Sequence, residues 1–150
     1  MAWVPINSDA IINSLTSQEQ SMMTDPSSAS DMATIIYNVT NLVRGKVMGW
    51  QPNQAYMGPV GTIPDELMAP AVAICRYKFL THLPGTTLIT KWREAENTEA
   101  YALLADVAIG KFVILAPNGS VPNNPADTGG EPYFPPYPVW QGRPVWGGYW

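Results

Sequence analysis

Apolar residues recur at helical spacing from residue 6 to about 115, and the periodicity stops there. In the first segment Asn7 or Ser8 is a suitable N-cap, and Ile11, Ile12 and Leu15 form a short apolar stripe. Thr16-Ser17-Gln18-Glu19 has capping-box spacing, in which Thr and Glu each bond the other's backbone N–H, and predicts a further turn ending near Met22-Met23. A second helix is predicted from about Ser28, with Asp31 three residues on. Met32, Ile35, Ile36, Val39, Leu42 and Val43 follow the i, i+3, i+4, i+7 pattern of one buried face. Arg44 and Lys46 suit the negative end of its dipole, and Gly49 is a stop.

Pro64-Asp65-Glu66 opens the third segment, because proline at the first helical position followed by two acids is a helix start. Pro70 lies inside it and predicts either a kink or a short turn followed by a main helix from about 70. Ala71-Val72-Ala73-Ile74-Cys75 is apolar all round, as expected of the most buried helix. Pro84-Gly85 ends that helix. The fourth helix is predicted from about Leu88 to Ile109, with Ala100, Tyr101, Leu104, Val107 and Ala108 on its inner side and Gly110 as C-cap. Phe112-Val113-Ile114-Leu115 makes either a short strand or a segment tucked against the bundle.

Two stretches break the pattern. The loop 49–63 is long, with prolines, glycines and the exposed-type anchors Trp50, Tyr56 and Met57; loops of this length are commonly functional. Residues 117–150 hold 8 of the 15 prolines, 7 of the 16 aromatics and three charges, Asp127, Glu131 and Arg143. Proline excludes a helix or a central strand there. The expected organisation is therefore an all-α body, a small bundle of about four helices over 1–116, with a long inter-helix loop and an extended Pro/aromatic-rich C-terminal arm over 117–150. Left in water, Tyr133, Phe134, Tyr137, Trp140, Trp146 and Trp150 would each expose on the order of 150 Å². The arm is expected either to fold back on its own body or to dock on a neighbouring chain, and these aromatics, with the three loop residues, are the candidate partner contacts.

Composition narrows the chemistry. The net charge is −4 with 8 Lys+Arg, which argues against a protein that grips nucleic-acid phosphates or an anionic membrane. No run of 18 apolar residues is present, and no secretory signal is visible at the N-terminus. One cysteine and one histidine leave little material for a disulfide framework, a metal site or a Ser-His-Asp arrangement. Cys75 in an apolar run reads as a small hydrophobe, and His82 as a helix C-terminal charge. Asp65-Glu66 reads as a helix start and Glu94, Glu96 and Glu99 as a solvated face. The basic pairs Arg44/Lys46, Arg76/Lys78 and Lys91/Arg93 read as dipole compensation or, more sharply, as a rim meeting an acidic partner. Gly58-Pro59-Val60-Gly61-Thr62 lacks the Gly-Lys-Ser/Thr ending of a phosphate loop. No catalytic, cofactor-binding or metal-binding residue is expected, and no enzyme.

The order of motifs resembles the Mu-like gp36 family of tailed-phage proteins and, more broadly, the head–tail connector (head-completion adaptor) proteins. The similarity covers about residues 6–115. It rests on the short helix before the Thr16 start, the long helix, the Gly/Pro-rich loop ending Ile63-Pro64, the segment Ala73-Ile74-Cys75-Arg76-Tyr77, and the last helix with Tyr101, Leu104 and Ala108 ending Ile109-Gly110-Lys111. The loop here is richer in Gly, Met and Tyr than the family pattern, and the aromatic arm lies outside the shared core.

The resemblance implies a structural virion protein, made in the host cytoplasm. Its subunits form a ring below the portal, commonly a dodecamer, that extends the DNA channel and docks the stopper or tail. DNA would pass without specific binding, and no membrane or cofactor would be involved. Two other readings stand beside it: a stopper or tail-completion protein of the same neck, and a monomeric binding module whose Pro135-Pro136-Tyr137-Pro138 tail, similar in part to a Pro-Pro-x-Tyr ligand, is read by a small recognition domain.

Overall fold

A computed structural model describes residues 2–21, 23, 27–83 and 89–119. The predicted helix stop at Pro84-Gly85, the start near Leu88 and the six aromatic arm residues Tyr133, Phe134, Tyr137, Trp140, Trp146 and Trp150 lie outside them. The fold is all-α apart from one short strand pair. In chain order it runs β1 (Trp3–Val4), α1 (Ser8–Asn13), α2 (Ser17–Ser21), α3 (Ser27–Gly49), a 3₁₀ turn (Gln51–Tyr56), β2 (Ile63–Pro64), a second 3₁₀ turn (Asp65–Leu67), α4 (Met68–His82) and α5 (Lys91–Ala108).

The local signals place the helices. Asn7 caps α1, its side chain accepting from the Asp9 N–H at 3.2 Å. Thr16 and Glu19 form the capping box of α2: the Thr16 N–H donates to Glu19 Oε2 at 2.7 Å, and the Glu19 N–H to Thr16 Oγ1 at 3.3 Å. Pro64 does not open a helix as expected: it ends β2 by pairing with Trp3, Asp65–Leu67 form a 3₁₀ turn, and α4 begins at Met68. Pro70 is then the third residue of α4, where the missing N–H would have had no helical partner, so the helix continues unbroken. α5 starts at Lys91, with Thr90 as its N-cap accepting from the Arg93 N–H.

α4 packs against α1, α3 and α5, and α3 also meets α5. Met32, Ile35, Val39, Val43 and Val47 of α3 face Ala71, Ile74, Cys75, Phe79 and Leu80 of α4 and Ala100, Leu104 and Val107 of α5 in one core. Tyr101 departs from expectation: the buried stripe of α5 follows 100, 104 and 107, and Tyr101, one residue round the helix, sits 37% exposed on the outer side. Phe112–Leu115 is not a strand. Ile114 and Ala116 are buried plugs, while Phe112 and Val113 stay outside. A strand pair joins two segments without strand patterning: Trp3 and Val4 run antiparallel to Pro64 and Ile63 and tie the N-terminal segment to the approach to α4.

Candidate partner-contact surface

The loop after α3 is clamped rather than free. Asn53 is buried and its side-chain amide donates to the Val47 carbonyl at 3.1 Å, while Gln54 Nε2 donates to the Met48 carbonyl at 3.2 Å. These are carbonyls that the end of α3 leaves without helical partners. The return limb is held by Arg44, whose Nη1 donates to the carbonyls of Pro59 and Thr62 at 2.8 and 2.7 Å and whose Nη2 donates to that of Gly58 at 3.1 Å. The same guanidinium lies 5.5 Å from the centroid of the Trp3 ring, within cation–π range. The Trp3 indole also lies so close to Gly58 that a methyl group there would overlap it.

The three loop candidates therefore differ. Trp50 is half-buried, its indole packed on Gly110 at the end of α5. Met57 is half-buried against the core. Tyr56 is 38% exposed and stands beside Trp3, Val47 and Ile114. All three contribute to holding the body together, and Tyr56 keeps an outward face.

One arginine from each of two basic pairs, Arg76 and Arg93, joins the capping-box acid Glu19 and Glu96, an acid expected on a solvated face, in an internal network. Arg93 meets both oxygens of Glu19, Nε to Oε1 at 3.2 Å and Nη2 to Oε2 at 3.0 Å. Its Nη1 donates to Glu96 Oε2 at 3.2 Å, and Arg76 donates to the same Glu96 oxygen and to the Ser14 carbonyl. Glu96 is thus not part of a solvated face, and Arg44, Arg76 and Arg93 are not a rim. Each guanidinium bonds several fixed oxygens at once, which its forked geometry favours over exposure. Burial acts to raise the Glu19 pKa, but hydrogen bonds from Thr16 and Arg93 outweigh it and hold the carboxyl below its ordinary value. At Glu66 burial dominates, with Asp65 adding to it, and the pKa is raised. Burial pushes the Cys75 thiol up to about 12.

Exposed apolar side chains are spread over Tyr37, Val60, Trp92 and Tyr101, and a further set follows the ends of α3 and α5. A Cβ at Gly49 would stand 3.4 Å from that of Ala108, so these two termini abut. Around them Met48, Ile109, Phe112 and Val113 are 47%, 62%, 37% and 46% exposed. No protein-family model, curated protein or solved structure matches this chain. Among the described residues no three His, Cys, Asp or Glu side chains are grouped as metal ligands would be, and no helix is long and apolar enough to cross a membrane. A groove of about 510 Å³ between α1 and α3 is walled by Ile12, Met23, Met32 and Ile36, and the Asn7 amide at its edge is already engaged as a helix cap.

Proposed function

We propose that this chain is a structural virion protein, a head–tail connector (adaptor) subunit that forms a ring below the portal, extends the DNA channel and docks the stopper or tail. The observation that carries the reading is the succession of elements around the motifs of the resemblance: a short helix before the Thr16 capping box, a long α3, a clamped loop ending at Ile63-Pro64, α4 through Arg76-Tyr77, and α5 closing at Gly110-Lys111. The surface supports it. Arg44, Arg76 and Arg93 are engaged inside the body, so the described part offers DNA few cations to grip, which suits a channel wall past which DNA slides. The apolar end beside Gly110 needs cover, as a subunit interface would provide. The role is mechanical, without cofactor or catalysis.

Mass photometry of the purified chain, alone and mixed with a portal ring, tests it. The expected result is a closed multimer, alone or on the portal, with negative-stain images showing a ring. A chain that stays monomeric and ignores the portal overturns the reading. Rings that bind tail components but not portal would move the protein to the stopper station.

A further inference from the structure

We propose that the apolar end of the body formed by Met48, Ile109, Phe112 and Val113 is the docking site for the aromatic segment 133–150 of a second copy of this chain. This rests on the reading that the chain assembles with itself, and it names the surface through which neighbours are locked.

The site is built by two helix ends and a return of chain. The carbonyl of Asp106 accepts the backbone N–H groups of Lys111 and Phe112, which turns the chain back at the end of α5 just before Phe112 and Val113. Lys111 and Asp106 pair with each other at 3.6 Å, so the charges closest in sequence are matched locally. What is left is an apolar patch whose four members are all more than one third exposed. A patch of neighbouring apolar side chains on a small body marks an interaction site.

The occupant follows from where the chain leaves and how far it reaches. Ile114 and Ala116 are buried, and the Gly119 N–H donates to the Ala116 carbonyl at 2.8 Å, closing a turn with Pro117 at its second position. The last described residue, Gly119, comes six residues after Val113 of the patch. Thirteen residues, 120–132, separate it from the first aromatic, Tyr133. A proline-spaced chain of that length spans up to about 40 Å at ~3.1 Å per residue. A body of this size is roughly 35 Å across. That reach is long enough to bring the anchors to the equivalent patch of a side-by-side copy, about one body-width away. An anchor meant for its own patch would need almost no spacer. The chemistry agrees: residues 133–150 carry seven aromatics and one charge, Arg143, and Trp and Tyr are the usual anchors of apolar docking pockets.

The full-length chain carrying a photocrosslinking phenylalanine analogue in place of Val113 tests the assignment. Irradiation is expected to yield a species of twice the 16.4 kDa chain mass on denaturing gels, with the crosslinked peptide mapping to 133–150. Crosslinks to 133–150 confined to single chains overturn the proposal in favour of each arm covering its own body. Association by mass photometry without crosslinks to 133–150 overturns the docking site while leaving self-assembly standing. A chain monomeric at every concentration overturns both. In parallel, the full-length double variant Ile109→Glu/Val113→Glu, altered only at exposed positions, is expected to melt like the parent by circular dichroism and to associate at least tenfold more weakly; unchanged association overturns the proposal.

Discussion

Arg93 grips Glu19 across 74 residues of sequence, with two guanidinium nitrogens on two carboxylate oxygens. The contact ties the first turn of α5 to α2 and, through Glu96 and Arg76, to the carbonyl that ends α1. Glu19 also caps its own helix, so it serves two structures with one carboxylate. Both side chains are almost wholly buried. Removing one partner leaves the other charged and dry, so Glu19→Gln is expected to destabilise the body by about 3 kcal/mol. Urea denaturation of Glu19→Gln, Arg93→Met and the double variant checks it. A coupling energy near zero in that cycle would show that the two do not act together.

Glu19, which is buried, and Glu66, which is half-buried, give opposite pH dependence. Glu19 has a lowered folded pKa, so its contribution is complete above the ordinary Glu value and is lost as the pH falls through the folded one. Glu66 has a raised folded pKa, so stability falls as the pH rises through it. One Glu66 oxygen is buried without a hydrogen-bond partner. At pH 7 Glu66→Gln is therefore expected to melt at the parental temperature or a few degrees above it, on the scale of about 1 kcal/mol. Thermal melts from pH 3 to pH 8 should show the parent losing stability at the acid end and Glu19→Gln losing less there. A Glu66→Gln variant that melts lower at pH 7 would reverse the assignment.

Two glycines separate backbone freedom from packing. Gly110 has φ +77 and would drive a methyl group into the Trp50 indole. Gly110→Ala is expected to cost about 2 kcal/mol or more, from left-handed strain and overpacking together. Gly45 lies four residues before the end of α3, and a Cβ there meets nothing within 4 Å. Gly45→Ala is expected to stabilise by about 0.5–1 kcal/mol through the lost flexibility of the unfolded chain. Melting temperatures of the pair should move in opposite directions.

Arg44 holds three loop carbonyls and the face of Trp3. A lysine keeps the charge but not the planar fork, so Arg44→Lys is expected to cost about 1–2 kcal/mol and to loosen residues 58–62. Hydrogen exchange at Thr62, whose N–H donates to the Pro59 carbonyl at 3.2 Å, reads that loosening directly. Unchanged protection would mean the loop holds its shape without the guanidinium.

Cys75 is fully buried, with its thiol pushed up to about 12. Its alkylation in the native protein is expected to be slower than that of a free thiol by at least a hundredfold, tracking unfolding. Fast labelling would place the sulfur at the surface.

The helices were legible because their signals are local. Asn7, the Thr16/Glu19 capping box and the Met32–Val43 stripe act within one or two turns, and each stands where the spacing puts it. Cys75 likewise lies in the core, as an apolar run around it implies. The charged residues were not legible. Nothing near Arg93 in sequence names Glu19 as its partner, and nothing near Arg44 says that it turns from its helix end to a loop 14 to 18 residues later. Spacing cannot distinguish a cation compensating a dipole from one clasping a distant carboxylate.

The surface shows the same division. Trp50 and Met57 look like anchors in a long loop, and the fold uses both for packing, because α5 brings Gly110 beneath the indole. The patch of Met48, Ile109, Phe112 and Val113 exists only because the ends of two helices far apart in sequence arrive side by side. Periodicity and capping are set by the few residues within reach along the chain, so the pattern of letters was enough for the helices and most of their buried faces. Ion partners, the Trp3–Pro64 pairing and the apolar end depend on which distant segments meet, and that is settled when the core closes and each polar group must find a partner inside it.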